Sequence, residues 1–154
     1  MKLYLDTSIF GAFFDTEDQK RLKATEVLCK KIKREKYKGF ISPVVFEEIA
    51  RAPDNIKIAL ESKIKEVNPS LLNEIEESLI LAEEYIKLGL APEKYRNDAR
   101  HVAVATVYGL DAVVSWNYRH LVNVARKRII HSVNLRFGYS LIEIISPWEV
   151  VEID

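Results

Sequence analysis

The sequence predicts an α/β domain organised around a parallel sheet, and three observations predict it. Leu3, Tyr4 and Leu5 read as a short buried strand that ends at Asp6, with a helix start directly behind it. Leu22, Thr25, Cys29 and Ile32 then recur at helical spacing before Phe40-Ile41 begins a second strand, which is the β-α-β order of a parallel sheet. The alternation returns late in the chain, where a helix reaching Tyr108 leads into the strand Ala112-Val113-Val114-Ser115.

Taken in order, Thr7-Ser8 starts the first helix ahead of Ile9, Phe10, Phe13 and Phe14. A second helix spans Gln19 to Lys36, and Gly39 stops it. Ser42-Pro43 is an N-cap and first-turn pair, so a short helix runs through Arg51, carries Glu47 and Glu48, and ends at Pro53. Helices are expected over 55–65 and 70–88, the second with Ile75, Leu79, Ala82 and Ile86 on one apolar stripe and Gly89 at its end. Another begins within Pro92–Asp98 and is capped by Gly109. Tyr118 to Gly138 is mixed helix and loop, Leu141–Ile145 is a last strand, and Ser146-Pro147-Trp148 opens a short terminal turn or helix. With no repeat, low-complexity tract or linker, residues 1–154 are expected to form a single domain.

Composition narrows the function classes. A chain of 154 residues, 48% hydrophobic, can bury a core without disulfides or a structural metal. Cys29 is the only cysteine, so neither a disulfide framework nor a cysteine zinc site can be assembled, and a reducing, cytoplasmic setting is expected. Residues 1–15 lack a signal-like pattern, and no apolar run is long enough to span a membrane. The 23 basic and 23 acidic residues cancel, which argues against a uniformly basic nucleic-acid surface. The distribution is uneven, however: residues 20–38 hold nine Lys/Arg, and residues 119–136 hold five with His120 and His131 and no acid. The first of these basic stretches also reads as an ordinary solvated helix face.

The chemistry is carried by acids. In open parallel sheets ligands bind beyond the carboxyl ends of the strands, where Asp6 and Asn117 are expected to fall. Glu48 follows Val44 and Val45, and Asp98 precedes Val102 and Ala105, at spacings that place each carboxylate on an inward helix face. Carboxylates converging on a half-buried crevice repel one another unless a cation neutralises them, and all-oxygen ligands suit Mg²⁺ or Mn²⁺. Such an ion activates phosphodiester hydrolysis. Singly, each acid has a plainer explanation: Asp6 or Asp98 as a helix cap, Glu48 as a partner of Arg51.

Leu5-Asp6-Thr7-Ser8, Ser42 through Glu48-Ile49, Asp98-Ala99 with Ala103 and Ala105, and Val114-Ser115-Trp116-Asn117 together resemble the four ordered motifs of the PIN-domain nucleases. The resemblance spans nearly the whole chain. It implies a three-layer α/β/α Rossmann-like domain with a central parallel sheet, a Mg²⁺ or Mn²⁺ site and endoribonuclease activity. A single domain of this length looks like the VapC toxins of type II toxin-antitoxin pairs, which implies an RNA substrate, a small antitoxin partner and a homodimer.

In that pattern Asp6 and Asp98 ligate the metal, Glu48 ligates it or orients its water, and Thr7 or Ser115 supports through its hydroxyl, with Glu47 the fallback if the register slips by one. Asn117 replaces the usual fourth aspartate, which puts a second metal in doubt. The Trp116-Asn117-Tyr118-Arg119-His120 string is similar to a subset of PIN proteins, in which His120 would contact phosphate or the leaving group. Arg119 could bind phosphate and Tyr118 could stack on an unpaired base, or both could be ordinary surface residues.

Three rivals are distinguishable. A PIN-like domain that lost catalysis through Asn117 would act as an RNA- or protein-binding module. An aspartyl-phosphate phosphatase needs a second aspartate two residues after the first, where Ser8 stands, and a receiver domain needs an acidic pair ahead of Asp6. A dinucleotide-binding enzyme needs a glycine-rich turn, and the five glycines are all isolated.

Overall fold

The computed structural model describes residues 1–90, 92 and 95–152, with only the backbone described at Glu152. Its elements run β1 (Lys2–Leu5), α1 (Thr7–Gly11) with a 3-10 turn (Ala12–Phe14), α2 (Gln19–Lys33), β2 (Lys38–Ile41), α3 (Pro43–Ile49), α4 (Asp54–Val67), β3 (Ser70–Leu71), α5 (Glu76–Lys87), α6 (Arg96–Val107), β4 (Ala112–Val114), α7 (Val124–Arg136), β5 (Glu143–Ile145) and α8 (Pro147–Glu152).

The five strands pair in parallel in the order β3-β2-β1-β4-β5, with Tyr4 opposite both Phe40 and Val113. The chain leaves β1 to build one half of the sheet and then returns to β4 on its other side. The crevice between the carboxyl ends of β1 and β4 is therefore the point where strand order reverses.

Strand alternation divides the core into two layers around the sheet, giving an α/β/α architecture. Leu3, Leu5, Ala112 and Val114 pack with Phe10, Leu28, Ile32 and Ile64 on one face. Tyr4, Val113 and Ile144 pack with Tyr85, Val102, Leu110 and Ile130 on the other. Among the described residues no helix is long and apolar enough to cross a membrane.

Four expectations need correction. Helix α2 ends at Lys33, not Lys36, because Glu35 takes a left-handed φ of 58° and Lys36 N–H turns back to the Lys31 carbonyl. Gly39 lies inside β2, where a Cβ would stand 3.2 Å from the Ile32 side chain, so it serves close helix-sheet packing and not helix termination. The stretch expected as one helix over 70–88 is split, with Ser70–Leu71 adding an edge strand to β2 before α5 begins. The buried face of α5 is Ser78, Leu81, Ala82 and Tyr85, while Ile75 and Leu79 point outward.

Candidate functional site

The site forms at the carboxyl ends of β1 and β4. Asp6 leaves β1 in an extended conformation and caps α1, accepting from Ser8 N–H at 3.1 Å and also from the Ser8 hydroxyl. Its second oxygen accepts from the Ser115 hydroxyl at 2.6 Å, which ties β1 to the end of β4. Asp6 is therefore a cap, as its plainer explanation held, and its carboxylate is also fixed at the crevice.

Asp98 lies in the first turn of α6, where Asn117 Nδ2 stands 3.5 Å from its Oδ2. The Asn117 carbonyl oxygen is occupied, accepting from His120 N–H at 2.9 Å, so Asn117 turns its N–H₂ toward Asp98. Its backbone N–H also bonds Ser115 Oγ at 2.9 Å.

Glu48 sits on α3, with a side chain 29% exposed. Thr7 donates to its Oε1 at 2.9 Å, and His101 Nε2 bonds the same oxygen. Among the described residues nothing bonds Oε2, which remains to accept. Glu47 turns away and pairs with Arg100 at 2.7 and 3.0 Å. Arg100 also holds Glu74.

The electrostatics separate the three acids. Burial, opposed by His101 and by the Ser115 and Ser8 hydroxyls, raises the Asp6 carboxyl above its ordinary value. Burial and then the charge of Asp6 push Asp98 up to about 7. Burial also works against ionised Glu48, but the His101 hydrogen bond and charge, with help from Thr7, hold it below the usual carboxylate range. His101 is itself buried, a cost that its bond to Glu48 and the charges of Glu48, Asp6 and Asp98 outweigh, so its pKa is raised. Two carboxyls thus resist ionisation where they are buried together, and a hard divalent ion would satisfy such an all-oxygen donor set. Among the described residues, no three His, Cys, Asp or Glu side chains are gathered tightly enough to form a ready ligand set.

The PIN domain family model matches residues 3–127, which contain every residue of this crevice. The chain belongs to the PIN domain family. None of the curated proteins is significantly similar to it in sequence. Among solved structures, its PIN fold matches a chain of VapBC-1 from nontypeable Haemophilus influenzae with a TM-score of 0.59 at 12% identity, covering 96% of this chain and 98% of that one. A chain of VapBC2 from Rickettsia felis, solved bound to a DNA fragment from their promoter, matches with a TM-score of 0.58 at 13% identity, covering 95% and 98%.

The other residues singled out in the sequence take varied places around this PIN crevice. Thr7 and Ser115 bond the acids directly. Arg119 has an exposed side chain, and the His120 ring lies against Tyr95 with centroids 4.3 Å apart. His101 was missed by the sequence reading. It stands one helical turn after Asp98 on an inward face, where Nδ1 meets the Tyr4 hydroxyl at 2.5 Å, and Tyr4 in turn bonds Ser42 Oγ at 2.7 Å. The signal was present: an i, i+3 pair of Asp98 and His101 on one helix face.

Proposed function

We propose that this PIN domain is a Mg²⁺- or Mn²⁺-dependent endoribonuclease and the toxin of a type II toxin-antitoxin pair, working in the cytoplasm as a homodimer. The observation that carries the reading is the pair Asp6 and Asp98 at the switch point of the sheet, two carboxyls raised by burial, with the charge of Asp6 adding to the rise at Asp98. The likeness to chains of VapBC assemblies supports a small antitoxin protein as partner.

Asp6 and Asp98 would hold the ion with help from Glu48, and the ion would supply charge neutralisation and polarise the phosphodiester. The protein's own groups have separable duties. Ser8 and Ser115 fix the Asp6 carboxylate, and Asn117 steadies Asp98. Glu48, ionised at neutral pH and held at Oε1, offers Oε2 to orient the attacking water. His120 and Arg119, which follow Asn117 closely in the chain, would meet the RNA backbone.

A second reading has an observation of its own. Asn117 spends its carbonyl on a backbone cap, and Glu48 is engaged with His101, which suits a PIN domain retained as an RNA- or protein-binding module. Incubating purified protein with single-stranded RNA, with and without Mn²⁺, separates the two. Cleavage that needs the ion and is lost in Asp6→Asn supports the nuclease; RNA binding that ignores both favours the module.

A further inference from the structure

We propose that the hollow between the end of α1 and the start of α2, walled by Gly11, Asp15, Arg21 and Trp116 and reaching Ser8 and Asn117, receives an unpaired, amino-bearing nucleobase next to the scissile phosphate. This rests on the RNA-cleaving reading of the Asp6–Asp98 crevice. The hollow encloses about 420 Å³, a volume typical of sites for small organic groups. It opens on the crevice because Ser8 bonds Asp6 and Asn117 faces Asp98.

Gly11 supplies the most specific observation. Its φ of −62° and ψ of −30° are ordinary helical values that any residue adopts, and a Cβ there would meet nothing within 4 Å. Neither the backbone nor the packing calls for glycine, which after proline is the poorest helix former. The missing side chain leaves the floor of the hollow open.

Arg21 supplies a flat wall. Its guanidinium carbon lies 5.2 Å from the Trp116 ring centroid and 5.6 Å from that of Tyr118. Nε is buried 3.3 Å from Asp18 Oδ2 without an aligned hydrogen bond. A guanidinium held against two aromatic rings is a stacking surface for a base. Asp15 adds a carboxylate whose Oδ1 accepts from Glu17 N–H at 3.1 Å and whose other oxygen would accept from an exocyclic amine, as acidic side chains do with cytosine. That carboxylate also disfavours a phosphate in the hollow, so the base and not the backbone is the fitting occupant.

The test uses a short single-stranded RNA cleaved at one bond in Mn²⁺, together with copies lacking one base at each position flanking that bond. Gly11→Leu fills the hollow and Arg21→Met removes the planar cation. Both changes should raise KM about tenfold or more, as loss of one stacked base does, with Mn²⁺ affinity unchanged. One abasic substrate should show the same KM rise with wild-type protein and no further rise with Gly11→Leu. Wild-type KM in Gly11→Leu, or additive effects of the two changes, overturns the proposal. So does a Gly11→Leu protein that loses only a protein partner. If wild-type protein cuts no RNA, the nuclease reading fails separately, and equilibrium binding of the same RNA decides the hollow: Gly11→Leu must weaken it about tenfold, and equal affinity overturns it.

Discussion

His101 Nε2 and Glu48 Oε1 share a hydrogen bond that joins α6 to α3 across the crevice. The ring is held from behind by Tyr4, itself anchored on Ser42, so three buried side chains fix the direction of one half-exposed carboxylate. In His101→Leu the Tyr4 hydroxyl and Glu48 both lose a partner. The unfolding free energy should fall by about 1–3 kcal/mol, read as a shift in the urea midpoint. Cleavage should drop about 10–100-fold, the usual effect of removing an outer partner of a metal-site ligand. His101→Gln, which keeps a donor, should recover part of the rate. An unchanged rate in His101→Leu would remove the histidine from the site's machinery.

Asp98 predicts a pH dependence. Its folded pKa of about 7 stands above its ordinary value of 3.8, so the folded protein binds the proton more tightly than the unfolded chain does. That contribution to stability is fully present below about pH 3.8 and is lost as pH rises through about 7. In metal-free protein at pH 8, Asp98→Asn should therefore be more stable than wild type, by ~2 kcal/mol or roughly 4–8 °C in thermal midpoint. The advantage should vanish near pH 4. Mn²⁺ binding should release protons at pH 6 and few at pH 8.5, which calorimetry in buffers of different ionisation enthalpy reads directly. Proton release that does not change with pH would contradict the Asp98 assignment.

The sequence announced the parallel sheet because β1, β2 and β4 are apolar runs bounded by helical periodicity. Leu3, Leu5, Ala112 and Val114 face one layer while Tyr4 and Val113 face the other, so both faces are buried and the runs read as continuous. The edge strand Ser70–Leu71 was illegible: both residues are exposed and its two-residue pairing to β2 is a tertiary contact. The face of α5 was misread because Leu79 and Ile80, though apolar, remain outside while Ser78 and Tyr85 go in. At the site, Asp6, Glu48 and Asp98 stood out as acids beside apolar neighbours. His101 carried only the weaker mark of its i, i+3 spacing from Asp98, because its partners Tyr4 and Glu48 lie 97 and 53 residues away.

Asn117 gives a gain-of-charge test. Asn117→Asp keeps an oxygen to cap His120 N–H but replaces the donor facing Asp98 with a second carboxylate. Without metal the added repulsion should lower the thermal midpoint by a few degrees, about 1 kcal/mol. With Mn²⁺ the order should reverse, and the variant's affinity should exceed wild type by about tenfold, since one more charge-assisted ligand is available. Equal Mn²⁺ affinity in the two proteins would place residue 117 outside the ion's reach.

Glu47 and Glu48 are adjacent in sequence and opposite in surroundings, so paired substitutions decide which one serves the site. Glu47 is exposed and bidentate to Arg100, an ion pair near the surface with no contact to Asp6 or Asp98. Glu47→Gln should cost no more than about 1 kcal/mol of stability and leave the cleavage rate within about twofold. Glu48→Gln preserves an acceptor for Thr7 and His101 but removes the charge from Oε2. Its cleavage rate should fall at least about 100-fold while the fold survives, as judged by an unchanged circular dichroism spectrum. A reversed pattern, with Glu47→Gln inactive and Glu48→Gln unaffected, would mean that α3 turns by one residue when RNA or metal binds.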